Sequence, residues 1–365
     1  MHFLRLNFNK TLITIPYFLQ KYKQFYDSTI LFYTFVLMIL NITPKTASIG
    51  YLLLVYFITV SLQAQEMMKA PDFLQKGDTV AIVATARKNI DDNLQPAIDL
   101  LHCWGLEVKI GSSIGLDVNQ LAGTDEQRAA DFQSMMDNPN IKAIWCVRGG
   151  YGTVRMIDLL DFTLFKKNPK WVIGFSDVTV LHSHLTTLGF QSIHGIMPIS
   201  ALRASEEAKE SLRKTLLGDT LSYEIPPHPM NRLGTASGIL VGGNLSILYS
   251  LLGSNSAIDC TDKILFIEDL DEYLYHIDRM LMNLKRNGCL ESLKGIVVGG
   301  MTKMKDNEIP WGKNALEIID NVTQKYHIPI MYNFPAGHVQ DNRSLIIGKN
   351  VRIDVSVSGS ILSFE

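Results

Sequence analysis

Trp171-Val172-Ile173-Gly174-Phe175-Ser176-Asp177 is the stretch that decides how this chain is read. Trp171 to Gly174 make a short buried-strand signal, and Val178 to Leu188 behind them read as a helix. A serine at a sharp strand-to-helix turn has an exposed hydroxyl. The N–H of the next residue then lies near a helix N-terminus, where an oxyanion is stabilised. Gly174, two before the serine, leaves room for the turn. The same spacing also suits Ser176 or Asp177 as a plain N-cap.

Outward from this junction the strand–helix alternation continues. Upstream, Val80-Ala81-Ile82-Val83-Ala84 is a strand, Asn89 to Trp104 a helix ended by Gly105, and Leu106 to Ile110 a second strand. Asp125 to Asn138 has helical spacing, Ile141 to Val147 is a third strand, and Val154 to Leu160 is again helical. Strands alternating with helices imply parallel pairing in an open sheet covered on both faces. Downstream, Ala204 to Asn231 is polar and carries Pro226-Pro227 and Pro229, a linker or lid pattern. A second block follows. Its strands are Ile239-Leu240-Val241, Ile264 to Ile267 and Leu293 to Val298, and its helices are Leu245 to Leu252, Asp271 to Arg286 and Ala315 to Lys325. The tail from Ser344 to Phe364 reads as short antiparallel strands.

The expected fold class is therefore α/β. An N-terminal open parallel-sheet domain of the Rossmann or flavodoxin kind (71–200) is joined by a linker (201–236) to a smaller α/β domain with a mixed sheet (237–365). Residues 1–64 stand apart. They hold apolar runs at Ile30 to Ile42 and Ile49 to Leu62, each shorter than the ~20 residues of a membrane-spanning helix. The second run ends in Ser61-Leu62-Gln63-Ala64-Gln65, the small-residue pattern of a secretory signal cleaved after Ala64. Met38 is a second candidate start. The expectation is export to the periplasm or beyond, with no stable membrane insertion after cleavage. An uncleaved anchor and a cytoplasmic protein are the alternatives.

Of 34 Lys and Arg and 36 Asp and Glu, five and one lie in residues 1–64, leaving 29 against 35 and a net charge of −6. That argues against a general electrostatic role on nucleic acid, which needs a positive surface. The four cysteines, Cys103, Cys146, Cys260 and Cys289, form no C-x-x-C pair and none neighbours a histidine at metal-ligand spacing. They are expected to be buried free thiols without a disulfide framework, and no metal or cofactor is expected. An NAD-type dehydrogenase is disfavoured because the first strand runs into Thr85-Ala86-Arg87 rather than a glycine fingerprint.

Three further features could carry chemistry. Arg148-Gly149-Gly150-Tyr151-Gly152 follows the third strand, and backbone N–H groups in such a loop can form an anion-binding nest; plain turn geometry has the same look. Glu268 ends the strand Ile264 to Ile267, where a carboxylate can equally cap the next helix. His338, in Pro335-Ala336-Gly337-His338, lies in a loop after the apolar run Ile328 to Tyr332, where many histidines are surface decoration. Together they give the order Ser, Glu, His, with separations of 92 and 70 residues. This is an order found in hydrolases whose histidine is the base and whose carboxylate orients it. Separation in sequence does not establish proximity.

Ordered motifs add a resemblance. Leu121-Ala122-Gly123-Thr124-Asp125-Glu126-Gln127-Arg128-Ala129-Ala130-Asp131, Arg148 to Gly152, Gly174 to Asp177, Gly238 to Leu245, Glu268-Asp269, Tyr275 to Arg279 and Pro335 to His338 resemble the LD-carboxypeptidase family. That family includes muramoyltetrapeptide carboxypeptidases and microcin C self-immunity peptidases, and the resemblance spans essentially residues 71–365. It implies Ser176 as nucleophile, His338 as general base, Glu268 as its orienting partner, and an oxyanion hole from the N–H groups of Gly150 and Asp177. It implies a murein tetrapeptide substrate losing terminal D-alanine, with a basic side chain holding the free carboxylate; a homodimer is the assembly it suggests. Thr153 departs mildly from the Ser or Ala of many relatives, and the cytoplasmic setting of many relatives conflicts with the apparent signal. The alternative substrate is a peptidyl or aminoacyl nucleotide, and a non-catalytic exported binding module is a third reading.

Overall fold

The computed structural model describes residues 68–89 and 93–365, which fall within one unit. The signal and anchor expectations for residues 1–64 lie outside the described residues. Thirteen strands run in chain order among those described. They are β1 (Thr79–Val83), β2 (Glu107–Ile110), β3 (Ile141–Cys146), β4 (Trp171–Gly174), β5 (Ser192–His194), β6 (Ser222–Ile225), β7 (Gly234–Asn244), β8 (Lys263–Leu270), β9 (Gly295–Thr302), β10 (Ile330–Met331), β11 (Leu345–Ile347), β12 (Asn350–Ser356) and β13 (Gly359–Phe364).

The first sheet has the order β11-β5-β4-β3-β1-β2, with β1 to β5 mutually parallel. Both its faces are covered. Along β1, Ala81 and Val83 point into one apolar core and Val80 and Ile82 into the other. A strand buried on both sides reads as a continuous apolar run, which is why Val80 to Val83 shows no polar alternation. The second sheet has the order β10-β9-β8-β7-β12-β13-β6; β7 to β10 are parallel, and β12, β13 and β6 extend it antiparallel. The α/β class with a mostly parallel and a mixed sheet is thus the observed one.

Two expectations need correction and one is refined. The polar stretch 201–236 is no open linker: it holds the helix Glu206–Leu217 and the edge strand β6. The helix is polar because it shows one face to water, while Ala208, Leu212 and Leu216 bury against the first sheet; the prolines fall after β6 rather than within it. The tail strands are antiparallel as expected, with β11 pairing to β5 (Leu345↔His194) and β12 to β13. Finally, Cys260 and Cys289 are joined by a disulfide with Cα atoms 5.1 Å apart, leaving Cys103 exposed and Cys146 buried as free thiols. Cys260 precedes β8 and Cys289 precedes β9. These adjacent parallel strands start at the same sheet edge, so topology rather than spacing unites the pair. One smaller difference is that the first helix runs Gln95–Cys103, with Pro96 in its opening turn, a place where its missing N–H costs nothing.

Candidate active site

Ser176 sits where β4 ends and a short 3-10 turn (Ser176–Val178) leads into the helix Thr179–Thr187. Its φ of 61° is left-handed, a conformation that costs a non-glycine residue about 1–3 kcal/mol and persists only where the surroundings enforce it. Such strain is what a turn needs if it is to lift a serine hydroxyl off the sheet edge. Val178 and the buried Asp177 anchor the turn from below.

The loop after β3 closes on this turn. A Cβ on Gly149 would lie 3.1 Å from Ser176 Cβ, 3.2 Å from Ser176 Oγ and 3.2 Å from the Asp177 backbone nitrogen. A side chain there would press on the serine turn, so glycine eases the approach. Asp177 Oδ2 accepts from the Thr153 N–H at 2.9 Å, and the buried Arg128 donates through Nη1 to the carbonyls of Gly152 (3.0 Å) and Thr85 (2.7 Å). The glycine loop is therefore pinned at its far end to both β1 and the serine turn. Burial raises the Asp177 pKa, the Thr153 contacts and Arg128 opposing it. Beyond the N–H expected to serve the oxyanion, the Asp177 side chain thus has a structural task.

Glu268 is wholly buried near the end of β8. Leu265 and Ile267 face the helix-side core, Ile264 and Phe266 the opposite one, so alternation carries Glu268 to the Phe266 side, where Phe334 and Ala336 pack. The β8–β9 register shifts between Ile267 and Asp269, a bulge of the kind that re-aims side chains beside functional sites. Glu268 Oε2 takes the His338 Nδ1–H at 2.7 Å, which leaves Nε2 as acceptor 3.1 Å from Ser176 Oγ. Phe175 packs edge-on against the His338 ring at 4.9 Å. Burial acts to lower the His338 pKa, but the hydrogen bond and charge of Glu268, with Asp269 behind it, outweigh burial and leave it raised.

Ser176, Glu268 and His338, separated widely in sequence, thus form one hydrogen-bonded line. A serine whose hydroxyl can pass its proton to an imidazole held by a buried carboxylate can attack a carbonyl and form an acyl intermediate. Gly150 lies one residue beyond Gly149 in the loop that touches the serine turn.

Several supporting residues were not foreseen. Asn244 donates to Glu268 Oε1 (3.2 Å) and Asp269 Oδ1 (3.0 Å), takes the Ile247 N–H at 3.2 Å as N-cap of the helix Leu245–Leu251, and donates its own N–H to Thr179 Oγ1 at 3.0 Å. It links the helix behind Ser176 to the carboxylate behind His338. Asn before an apolar helical run is a capping signal, and Gly238 to Leu245 holds it in plain sight. Asp269 accepts from Ser246 N (2.9 Å) and Leu270 N (2.8 Å), and burial first, then Glu268, push its pKa to about 7. Asn342 Oδ1 takes the Gly337 N–H at 2.7 Å and so fixes the His338 loop. A separate cavity of about 650 Å³ is lined by Tyr275, Arg279 and Trp311 among others and contains none of the three aligned residues.

Comparison with known proteins gives the family of this chain. The description of an LD-carboxypeptidase N-terminal domain matches residues 80–195, and that of an LD-carboxypeptidase C-terminal domain matches 237–353. A probable murein peptide carboxypeptidase of Bacillus subtilis is 34% identical over 303 residues, 80% of this chain and 93% of that protein. A murein tetrapeptide carboxypeptidase of Pseudomonas aeruginosa is 31% identical over 289 residues, 75% of this chain and 92% of that protein. The crystal structure of a muramoyltetrapeptide carboxypeptidase from Oxalobacter formigenes superposes with a TM-score of 0.72 at 28% identity, covering 78% of this chain and 98% of that one. With two family domains matched and the fold shared over 78% of its length, this chain belongs to the LD-carboxypeptidase family of peptidases.

Proposed function

We propose that this protein is a serine-type carboxypeptidase that hydrolyses the L,D amide of murein tetrapeptides and releases terminal D-alanine. The observation that carries the reading is the line from Ser176 Oγ through His338 to the buried Glu268, starting at a serine with left-handed backbone. His338 takes the Ser176 proton as Oγ attacks the amide carbonyl. The N–H groups of Gly150 and Asp177 receive the oxyanion, each such donor contributing about 3–4 kcal/mol in comparable enzymes. His338 then protonates the departing amine of D-alanine, and a water, activated by the same ring, releases the acyl enzyme. The names of the Bacillus and Pseudomonas relatives support the murein peptide as substrate.

The compartment belongs to the same proposal. The Cys260–Cys289 disulfide favours an oxidising environment, and the small-residue pattern ending at Ala64 favours export by cleavage. Among the described residues no helix is long and apolar enough to cross a membrane. The enzyme would then work on murein peptides outside the cytoplasm.

A peptidyl-nucleotide substrate is favoured by one observation, the cavity with Tyr275, Trp311 and Arg279, whose rings offer a stacking surface. An assay of purified residues 65–365 against L,D- and D,D-linked muropeptides and an aminoacyl nucleotide analogue separates the readings. D-alanine release from the L,D-linked tetrapeptide alone is the expected result; cleavage of the nucleotide analogue alone would displace it.

A further inference from the structure

We propose that Arg87 is the residue that binds the free C-terminal carboxylate of the peptide substrate; the inference rests on the carboxypeptidase reading above. A carboxypeptidase must recognise an anion three bonds from the carbonyl it attacks, so its cation has to stand close beside the nucleophile. Arg87 follows β1 at the carboxyl edge of the first sheet, next to the glycine loop that follows β3. Its stem lies directly over Gly150: a Cβ there would come within 2.3 Å of Arg87 Cδ and 2.4 Å of Cγ. Gly150 is one residue, about 3.8 Å along the chain, from Gly149, which itself abuts Ser176 Oγ and the Asp177 nitrogen.

The backbone carrying Arg87 is held on both sides. Ala86 accepts from Ala122 N–H at 3.0 Å, Lys88 N–H donates to the Gln120 carbonyl at 3.0 Å, and Arg148 Nη1 donates to the Lys88 carbonyl at 3.0 Å. The neighbouring Lys88 ammonium is already paired with Asp117 at 2.7 Å. Arg87 is exposed, and among the described residues its guanidinium has no carboxylate, carbonyl or ring partner. A cation laid across the loop beside the nucleophile, on a rigid segment and lacking an internal anion, is suited to a bidentate grip on a carboxylate.

The test compares wild type, Arg87→Ala and Arg87→Lys on the murein tetrapeptide and on its C-terminal amide, with Ser176→Ala as blank. Wild type should prefer the free acid. Arg87→Ala should lower kcat/KM for the acid about 10- to 100-fold, the worth of a charge-assisted contact, mainly through KM, and should shrink the acid-to-amide preference by a similar factor. Arg87→Lys should recover part of the loss. An acid-to-amide preference in Arg87→Ala equal to that of wild type would overturn the proposal while leaving the carboxypeptidase reading intact. No D-alanine release by wild type would remove both.

Discussion

His338 Nδ1 stands 2.7 Å from Oε2 of Glu268, a carboxylate with no exposed surface that lies 70 residues earlier in the chain. The contact fixes the tautomer, because a buried carboxylate can only accept here, so Nε2 is left bare toward Ser176. Glu268→Gln should keep the fold and present an amide N–H to Nδ1, turning the imidazole to the wrong tautomer. The expected result is a fall in kcat of about 10³–10⁴-fold with KM little altered, read from steady-state D-alanine release. A loss under tenfold would show that Glu268 does not orient the base.

The raised His338 pKa sets a pH profile. The neutral ring is the base, so kcat/KM should climb with pH and level off only past a midpoint above the ordinary 6.5. Linkage runs the other way for stability. A pKa raised by folding contributes stability that is complete below the unfolded value and is lost as pH rises through the folded one. Removing the Glu268 charge leaves burial as the dominant influence, so the residual activity of Glu268→Gln should have its acid limb below 6.5. A wild-type limb centred below 6.5 contradicts this account.

Gly337 precedes the histidine with φ of 105°, and a Cβ there would lie 2.6 Å from Glu268 Oε2. Gly337→Ala should therefore push the His338 loop off its carboxylate. Backbone strain alone should cost about 1–3 kcal/mol in denaturant unfolding, and activity should fall at least tenfold beyond what stability explains. Wild-type activity in a stably folded variant would mean that the loop tolerates displacement.

The disulfide makes a separate prediction. Protein isolated from its host and denatured without reductant should titrate two thiols, Cys103 and Cys146, and four after reduction. Cys289→Ser should lose about 2–4 kcal/mol of stability. Four thiols before reduction would remove the disulfide's support for an oxidising compartment.

The sequence made the parallel core legible because strands buried on both faces, such as Val80 to Val83, are dense apolar runs bounded by turn residues. Ser176 was visible as a strand-to-helix serine, but its left-handed φ was not, and an N-cap serine has the same neighbours. Glu268 and His338 lie at element ends, where capping carboxylates and loop histidines are common, and only β8 alternation and the His338 loop geometry distinguish them. Asn244 was hidden differently. It is a capping residue in sequence, and its hold on Glu268 depends on β7 and β8 being adjacent. The disulfide and the β11–β5 pair escaped for the same reason, since each joins segments that only topology brings together. The amphipathic helix Glu206–Leu217 was masked by its polar face and the prolines beyond it.

The central claim is that Ser176 performs nucleophilic attack. Its most direct measurement is the rate of D-alanine release from the murein tetrapeptide by Ser176→Ala, with the fold verified by an unchanged unfolding transition. Deleting one partly buried hydroxyl should leave the fold in place while release drops by at least about 10⁴-fold. Release within tenfold of wild type from a folded Ser176→Ala protein would contradict the account.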